Sequence, residues 1–250
     1  MALRLPLRVA PDAEAAARLC AARLADLAAA SITARGSCVL ALSGGATPQR
    51  MLEHFAGQTL PWRDLRIVQV DERLAPEGDP ARNLTSLEQA LVQSGPLPRA
   101  NLYPMPVTLA LASGVTAAIV ACEQTLRELA GNPPTLDIAH LGLGEDGHTA
   151  SLFPGDGLPD TKDREVGFVA HAPQWPRLSL TVPALNRARH IVWLVTGTAK
   201  AARLAELIEG RGTMPAMRIA REHAEVIADA AACGAPGDRA TRNDAPRHEP

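Results

Sequence analysis

The segment Leu141-Gly142-Leu143-Gly144-Glu145-Asp146-Gly147-His148-Thr149-Ala150-Ser151-Leu152-Phe153-Pro154 packs three glycines, two carboxylates, a histidine, a threonine and a serine into one short stretch. His148 is the side-chain type there whose ordinary pKa suits proton transfer near neutral pH. Asp146 stands two residues before it, near enough to orient the ring or hold its charge. The glycines open backbone angles closed to other residues and let a ligand approach the main chain. A plain strand-to-helix turn needs far less. His148 alone could be a general base, a metal ligand or structural. Metal sites show several ligands at recognisable spacing; here there is no HExxH, and His54, His140, His171, His190, His223 and His248 are scattered. The Gly-x-Gly-x-Asp-Gly-His setting therefore favours a base, with no metal.

Other segments carry complementary chemistry. Ser43-Gly44-Gly45-Ala46-Thr47-Pro48 offers free backbone amides at a helix N-terminus, a place for an anion such as phosphate. It equally suits a tight turn capped by Thr47. It is neither a Walker motif nor a GxSxG elbow, so Ser43 is a poor nucleophile candidate. In Asp71-Glu72-Arg73, Asp71 can hold sugar hydroxyls or assist a proton transfer, and Arg73 can take a phosphate or carboxylate in a fork. Glu72 reads as a solvated acid. Lys200, after Gly197-Thr198-Ala199, and Arg177 are further cations; each taken singly is as readily a surface charge.

These segments need elements to hold them. Asp12 caps a helix to about Ala34, stopped by Gly36. Strands are expected over Ser37 to Leu42, Leu65 to Val70, Leu102 to Met105, Leu136 to Leu143, Val166 to Ala170, Leu178 to Val182, Ile191 to Val195 and Glu225 to Ile227. Helices are expected from Thr47 (N-cap) and Pro48 to Phe55, from a capping box Thr85-Ser86-Leu87-Glu88 to about Ser94, over Val115 to Ala130, and from Lys200 to about Glu209. The sheet is expected to begin at Ser37. Strands alternating with helices argue for an α/β fold with a mostly parallel sheet covered on both faces. Four strands run straight into the segments Ser43 to Gly45, Asp71 to Arg73, Gly144 to His148 and Gly197 to Lys200. A parallel sheet puts all four at one edge, where ligands bind.

Composition sets the bounds. A chain of 250 residues, 46% hydrophobic and 21% charged, can bury a substantial core. A net charge of −2 gives no footprint for nucleic acid or for a membrane surface. No apolar run approaches the roughly 18 residues of a membrane span, and charges at Glu14, Arg18, Arg23 and Asp26 argue against a signal peptide. The dispersed Cys20, Cys38, Cys122 and Cys233 fit a reducing, cytoplasmic setting. Of the 25 basic residues only Lys162 and Lys200 are lysine, which makes Lys200 more informative than its type alone. One domain over 1–233 is expected, and the polar stretch 234–250 reads as a disordered tail.

Taken together the sequence resembles the 6-phosphogluconolactonase family. The resemblance rests on Ser43 to Pro48, Val70-Asp71-Glu72-Arg73 with Asn83, Gly142 to Pro154, Arg177-Leu178-Ser179-Leu180-Thr181 and Gly197-Thr198-Ala199-Lys200. It runs in order from about Leu40 to Lys200, and its most specific string is Asp146 to Pro154. It implies a Rossmann-like single-domain fold shared with glucosamine-6-phosphate deaminases and ribose-5-phosphate isomerases. It implies hydrolysis of 6-phospho-D-glucono-1,5-lactone to 6-phosphogluconate in the oxidative pentose phosphate pathway, by a monomer or homodimer without cofactor. Arg82, where that family usually has Ser, and Ala75, where Val is common, depart from the pattern in one loop.

On this resemblance His148 is expected to deprotonate the attacking water, with Asp146 behind it. Gly144 and nearby amides, or Arg73, face the oxyanion. Ser43, Gly44, Gly45 and Thr47 form the phosphate turn, gripped by Arg177 and Lys200, and Asp71 and Asn83 hold sugar hydroxyls. Two alternatives are a deaminase and a non-catalytic phosphosugar sensor. Deaminases continue Asp-Gly-His with Ile-Ala-Phe-Asn-Glu-Pro, and that glutamate has no counterpart in Thr149 to Pro154. Sensor domains carry a preceding helix-turn-helix, for which the expected start of the sheet leaves no room.

Overall fold

A computed structural model describes residues 5–234, without the side chains of residues 46 and 47. The expected tail beyond Gly234 lies outside the described residues. In chain order the elements are β1 (Leu7–Ala10), α1 (Ala13–Arg35), β2 (Cys38–Leu42), α2 (Ala46–Ala56), β3 (Leu65–Gln69), β4 (Asp71–Arg73), α3 (Asn83–Leu87), β5 (Leu102–Tyr103), α4 (Val107–Ser113), α5 (Val115–Ala130), β6 (Ile138–Leu141), β7 (Val166–Val169), β8 (Arg177–Leu180), α6 (Val182–Asn186), β9 (His190–Val195), α7 (Ala201–Glu209) and β10 (Ala224–Asp229).

Seven strands form one sheet in the order β1-β10-β9-β6-β2-β3-β5, and each neighbouring pair is parallel. Side chains alternate between its faces. Leu40, Leu42, Ile67, Ile138, Val192 and Ile227 pack under α1 and α2. Val39, Ala41, Val68, Leu141, Trp193 and Val226 pack against α5, α6 and α7. Asp12 caps α1 by accepting from the Ala15 amide at 2.7 Å, and Gly36 ends it at φ 79°. From β2 the chain builds outward through β3 and β5, then returns to the other side of β2 and builds through β6, β9 and β10. The switch point between β2 and β6 is where open α/β sheets bind ligands.

Several expectations need correction. The sheet begins at Leu7, not Ser37; β1 is a four-residue edge strand with Leu7 and Val9 exposed, too short and too wet for an apolar signal. The strands β7 and β8 are real, but they form a second, antiparallel sheet with β4, in the order β4-β8-β7. The chain leaves the parallel sheet at Val70, whose carbonyl accepts from Leu180 N at 2.8 Å. The N-cap of α2 is Gly45 at φ 112°, two residues before the expected Thr47. No capping box forms at Thr85, whose hydroxyl donates to Asp79 O at 2.9 Å instead. The helix α3 starts at Asn83 and continues as a π-helical turn, Glu88–Gln93. The helix α4 was not anticipated.

Candidate active site

The four expected segments do converge, because β9, β6, β2 and β3 are neighbours in that order. They line a pocket of about 230 Å³ whose wall includes Ser43, Gly44, Gly45, Asp71, Arg73, Gly144, His148, Arg177 and Lys200. Of the remaining expected residues, Asp146 and Asn83 stand behind the wall, and the Thr47 side chain is outside the described residues.

The His148–Asp146 pair is local. His148 Nδ1 lies 2.5 Å from Asp146 Oδ1, and the same oxygen accepts from His148 N at 3.0 Å. Partial burial pushes the Asp146 carboxyl up, but the His148 amide, charge and ring N–H outweigh it and hold it below its ordinary value. An ionised Asp146 fixes the proton on Nδ1, leaving Nε2 as the basic nitrogen. The His148 ring packs on Phe153 at 4.7 Å between centroids. The loop closes through Gly144 N to His148 O at 2.8 Å and Gly147 N to Gly144 O at 3.1 Å. That first bond engages the Gly144 amide within the loop.

Gly144 is needed for space. A Cβ there would stand 2.1 Å from His148 Nδ1 and 2.6 Å from Asp146 Oδ1. The same logic holds at Gly44, whose Cβ would lie 2.1 Å from Asn83 Oδ1. The Ser43 hydroxyl is spent inward, donating to His140 O at 2.8 Å.

The second sheet carries the cations. Arg73 and Arg177 are register partners across β4 and β8. Like charges placed opposite each other are unfavourable unless something neutralises them. Asp71 does so in part, with Oδ2 3.7 Å from Arg177 Nη1. The Arg177 guanidinium lies over the Phe153 ring at 5.6 Å. Burial and the Arg73 charge lower the Arg177 pKa, against the pull of Asp71 and Glu72. The Nε atoms of both arginines are buried without a protein partner. Paired guanidiniums on one pocket wall suit an anion.

Asp71 is held on every side. It accepts from Asn83 Nδ2 at 3.1 Å and from Ser151 Oγ at 2.6 Å. Asn83 is itself buried, donating also to Asp71 O at 2.9 Å. Asn83 therefore sets the position of Asp71 from behind.

Glu72 is the clearest miss of the sequence reading, which took it for a solvated acid. It is fully buried and accepts from Gln69 Nε2, Arg73 N and Asn83 N at 2.8 Å and from Leu84 N at 2.9 Å. Arg82 Nε lies 3.4 Å away, so the unusual Arg82 adds a charge partner to this carboxylate. Glu72 thus caps α3 and ties β4 to it. No local signal marks it, since its partners come from three segments. Asp229 does a similar job on β10, accepting from Gly197 N at 3.0 Å and so placing the turn that carries Lys200. Ala150, on the pocket wall, takes a left-handed φ of 49°.

Lys200 Nζ stands 3.5 Å from Glu145 Oε1. Among the described residues no cluster of three or more His, Cys, Asp or Glu could hold a metal ion, and no helix is long and apolar enough to cross a membrane.

His140, just below the site on β6, is fully buried with neither ring nitrogen partnered, and burial lowers its pKa to about 4. The folded protein holds it neutral, whereas the unfolded chain protonates it near pH 6.5. Its contribution to stability is therefore present above about pH 6.5 and lost as pH falls toward 4. The unfolding free energy from denaturant titration is expected to drop by up to about 1.4 kcal/mol per pH unit across that window, and His140→Leu should flatten the drop. An equally steep fall in the variant would assign the acid limb to other groups.

A doubly wound sheet with a His–Asp pair and clustered cations at its switch point is an α/β arrangement whose pocket suits a small anionic ligand. Comparison with known proteins is consistent with that class. Residues 11–228 match the family model described as glucosamine-6-phosphate isomerases/6-phosphogluconolactonase. The chain belongs to this family. It is 37% identical over 178 residues to a 6-phosphogluconolactonase of Synechocystis, covering 71% of this chain and 74% of that protein. It is 36% identical over 218 residues to a 6-phosphogluconolactonase of Streptomyces coelicolor, covering 82% and 83%. The solved 6-phosphogluconolactonase of Trypanosoma cruzi superposes with a TM-score of 0.83 at 25% identity, over 94% of this chain and 97% of that one.

Proposed function

We propose that this protein hydrolyses the ring ester of 6-phosphogluconolactone to the open phosphosugar acid, with His148 as general base. The observation that carries this is the placing of the His148–Asp146 pair and the cations Arg73, Arg177 and Lys200 around one pocket. A lactone is an activated ester, so its hydrolysis needs a water, a base and charge stabilisation for the oxyanion, and no cofactor.

Nε2 of His148 takes the proton of the attacking water, and Asp146 stabilises the imidazolium. With the Gly144 amide engaged, Arg73 is the donor for the developing oxyanion. The phosphate rests on the Gly44–Gly45 turn, gripped by Arg177 and Lys200. Asp71, held by Asn83 and Ser151, orients Arg177 and the sugar. Anchoring the phosphate away from the reacting carbon fixes that carbon over the base, which turns remote binding energy into rate.

The test is proton release from freshly generated 6-phosphogluconolactone against a no-enzyme baseline, with glucosamine-6-phosphate in parallel and ammonia as readout. Fast lactone loss without ammonia is expected. Lactone loss no faster than the baseline would overturn the proposal, and ammonia would point to deamination. Lys200→Ala is expected to raise KM about tenfold, the equivalent of about 1.4 kcal/mol of binding, with a smaller change in kcat. An unchanged KM would remove Lys200 from the phosphate site.

A further inference from the structure

Glu145 lies between the glycine that makes room for the base and the aspartate that holds it, yet its carboxylate serves neither. Its Oε1 is 3.5 Å from Lys200 Nζ, and its side chain is 69% exposed. It does not line the pocket, whereas Lys200 does. The Glu145 carbonyl accepts from Arg203 Nε at 3.3 Å, which ties this point of the loop to α7, the helix that follows Lys200. The Lys200 ammonium therefore meets a protein carboxylate that stands outside the pocket Lys200 lines.

We propose that Glu145 is a counter-ion that weakens the pocket's grip on phosphate by competing for Lys200. The proposal rests on the reading of Lys200 as a phosphate ligand. In the free enzyme Glu145 neutralises Lys200. A bound phosphate must share or displace it, and stands close to a like charge besides. Substrate and product carry the same phosphate, so both are weakened alike. Uniform binding of this kind does not speed the chemical step, and tighter binding of product would slow its release. A carboxylate at this position lets the pocket select a phosphorylated ligand without retaining it.

The test uses inorganic phosphate as a competitive inhibitor of lactone hydrolysis, in wild type, Glu145→Gln, Lys200→Ala and the double variant. An exposed ion pair is modest, so Glu145→Gln is expected to lower the phosphate Ki by about two- to fivefold. The KM for the phosphorylated lactone should fall in parallel. The gain should vanish in the Lys200→Ala background, and it should shrink at high salt as screening sets in. An unchanged Ki in Glu145→Gln, with Ki raised by Lys200→Ala, would overturn the counter-ion and leave the phosphate site standing. An unchanged Ki in Lys200→Ala would overturn both readings. A change in kcat without a change in Ki would show Glu145 acting on the His148–Asp146 pair, which also overturns the proposal.

Discussion

His148→Ala is expected to lower kcat on 6-phosphogluconolactone by about a hundredfold or more, the range over which a positioned general base contributes. The imidazole lines the pocket with its Nδ1 engaged by Asp146 at 2.5 Å and its ring packed on Phe153, an arrangement that suits a base. Removing it leaves the phosphate anchors in place, so KM should move much less than kcat. Steady-state rates above the uncatalysed baseline decide the matter. A variant that keeps full kcat would show that His148 is not the base, whatever its geometry. A variant that loses KM instead would make His148 a binding residue.

Gly144→Ala should cost activity on the same scale without touching a reacting group. The added methyl would stand 2.1 Å from His148 Nδ1 and 2.6 Å from Asp146 Oδ1. Both are side-chain atoms, so the ring and the carboxylate can move aside and the fold survives. What is lost is the pair itself, and with it the tautomer and aim of the base. We expect kcat to fall by about a hundredfold, as for His148→Ala, while the thermal midpoint shifts by only a few degrees. Because the two changes act on one ring, the double variant should be no worse than His148→Ala alone. Additive losses would mean that Gly144 matters for something other than clearance. Full activity in Gly144→Ala would show that the loop adjusts around the methyl.

How much of this was legible beforehand differs from residue to residue. Local order determined what could be read. The spacing of Asp146 and His148 fixes their meeting within one loop, and it was read correctly. The alternation of strands and helices implied a parallel sheet, and the polar segments after β2, β3, β6 and β9 implied a shared edge. Asp12, Gly36 and the limits of α5 follow from capping and breaking residues next to them in the chain.

Other features depend on partners supplied by other elements. Glu72 is charged and looks solvated, but three segments fold around it and supply its donors. Asp71 and Asn83 read as ligands for sugar hydroxyls; the fold adds that they bond each other and that Asp71 also accepts from Ser151. The facing of Arg73 and Arg177 exists only because β4 leaves the parallel sheet and pairs with β8. The pairing of Lys200 with Glu145 arises only where the ends of β9 and β6 come side by side. The sequence by itself therefore determined most of the strands and helices and the meeting of His148 with Asp146, since these depend on neighbours within a few residues. The tertiary structure alone decided which charges are buried, which are paired and which face the pocket, because those depend on strand order and on contacts that local spacing does not encode.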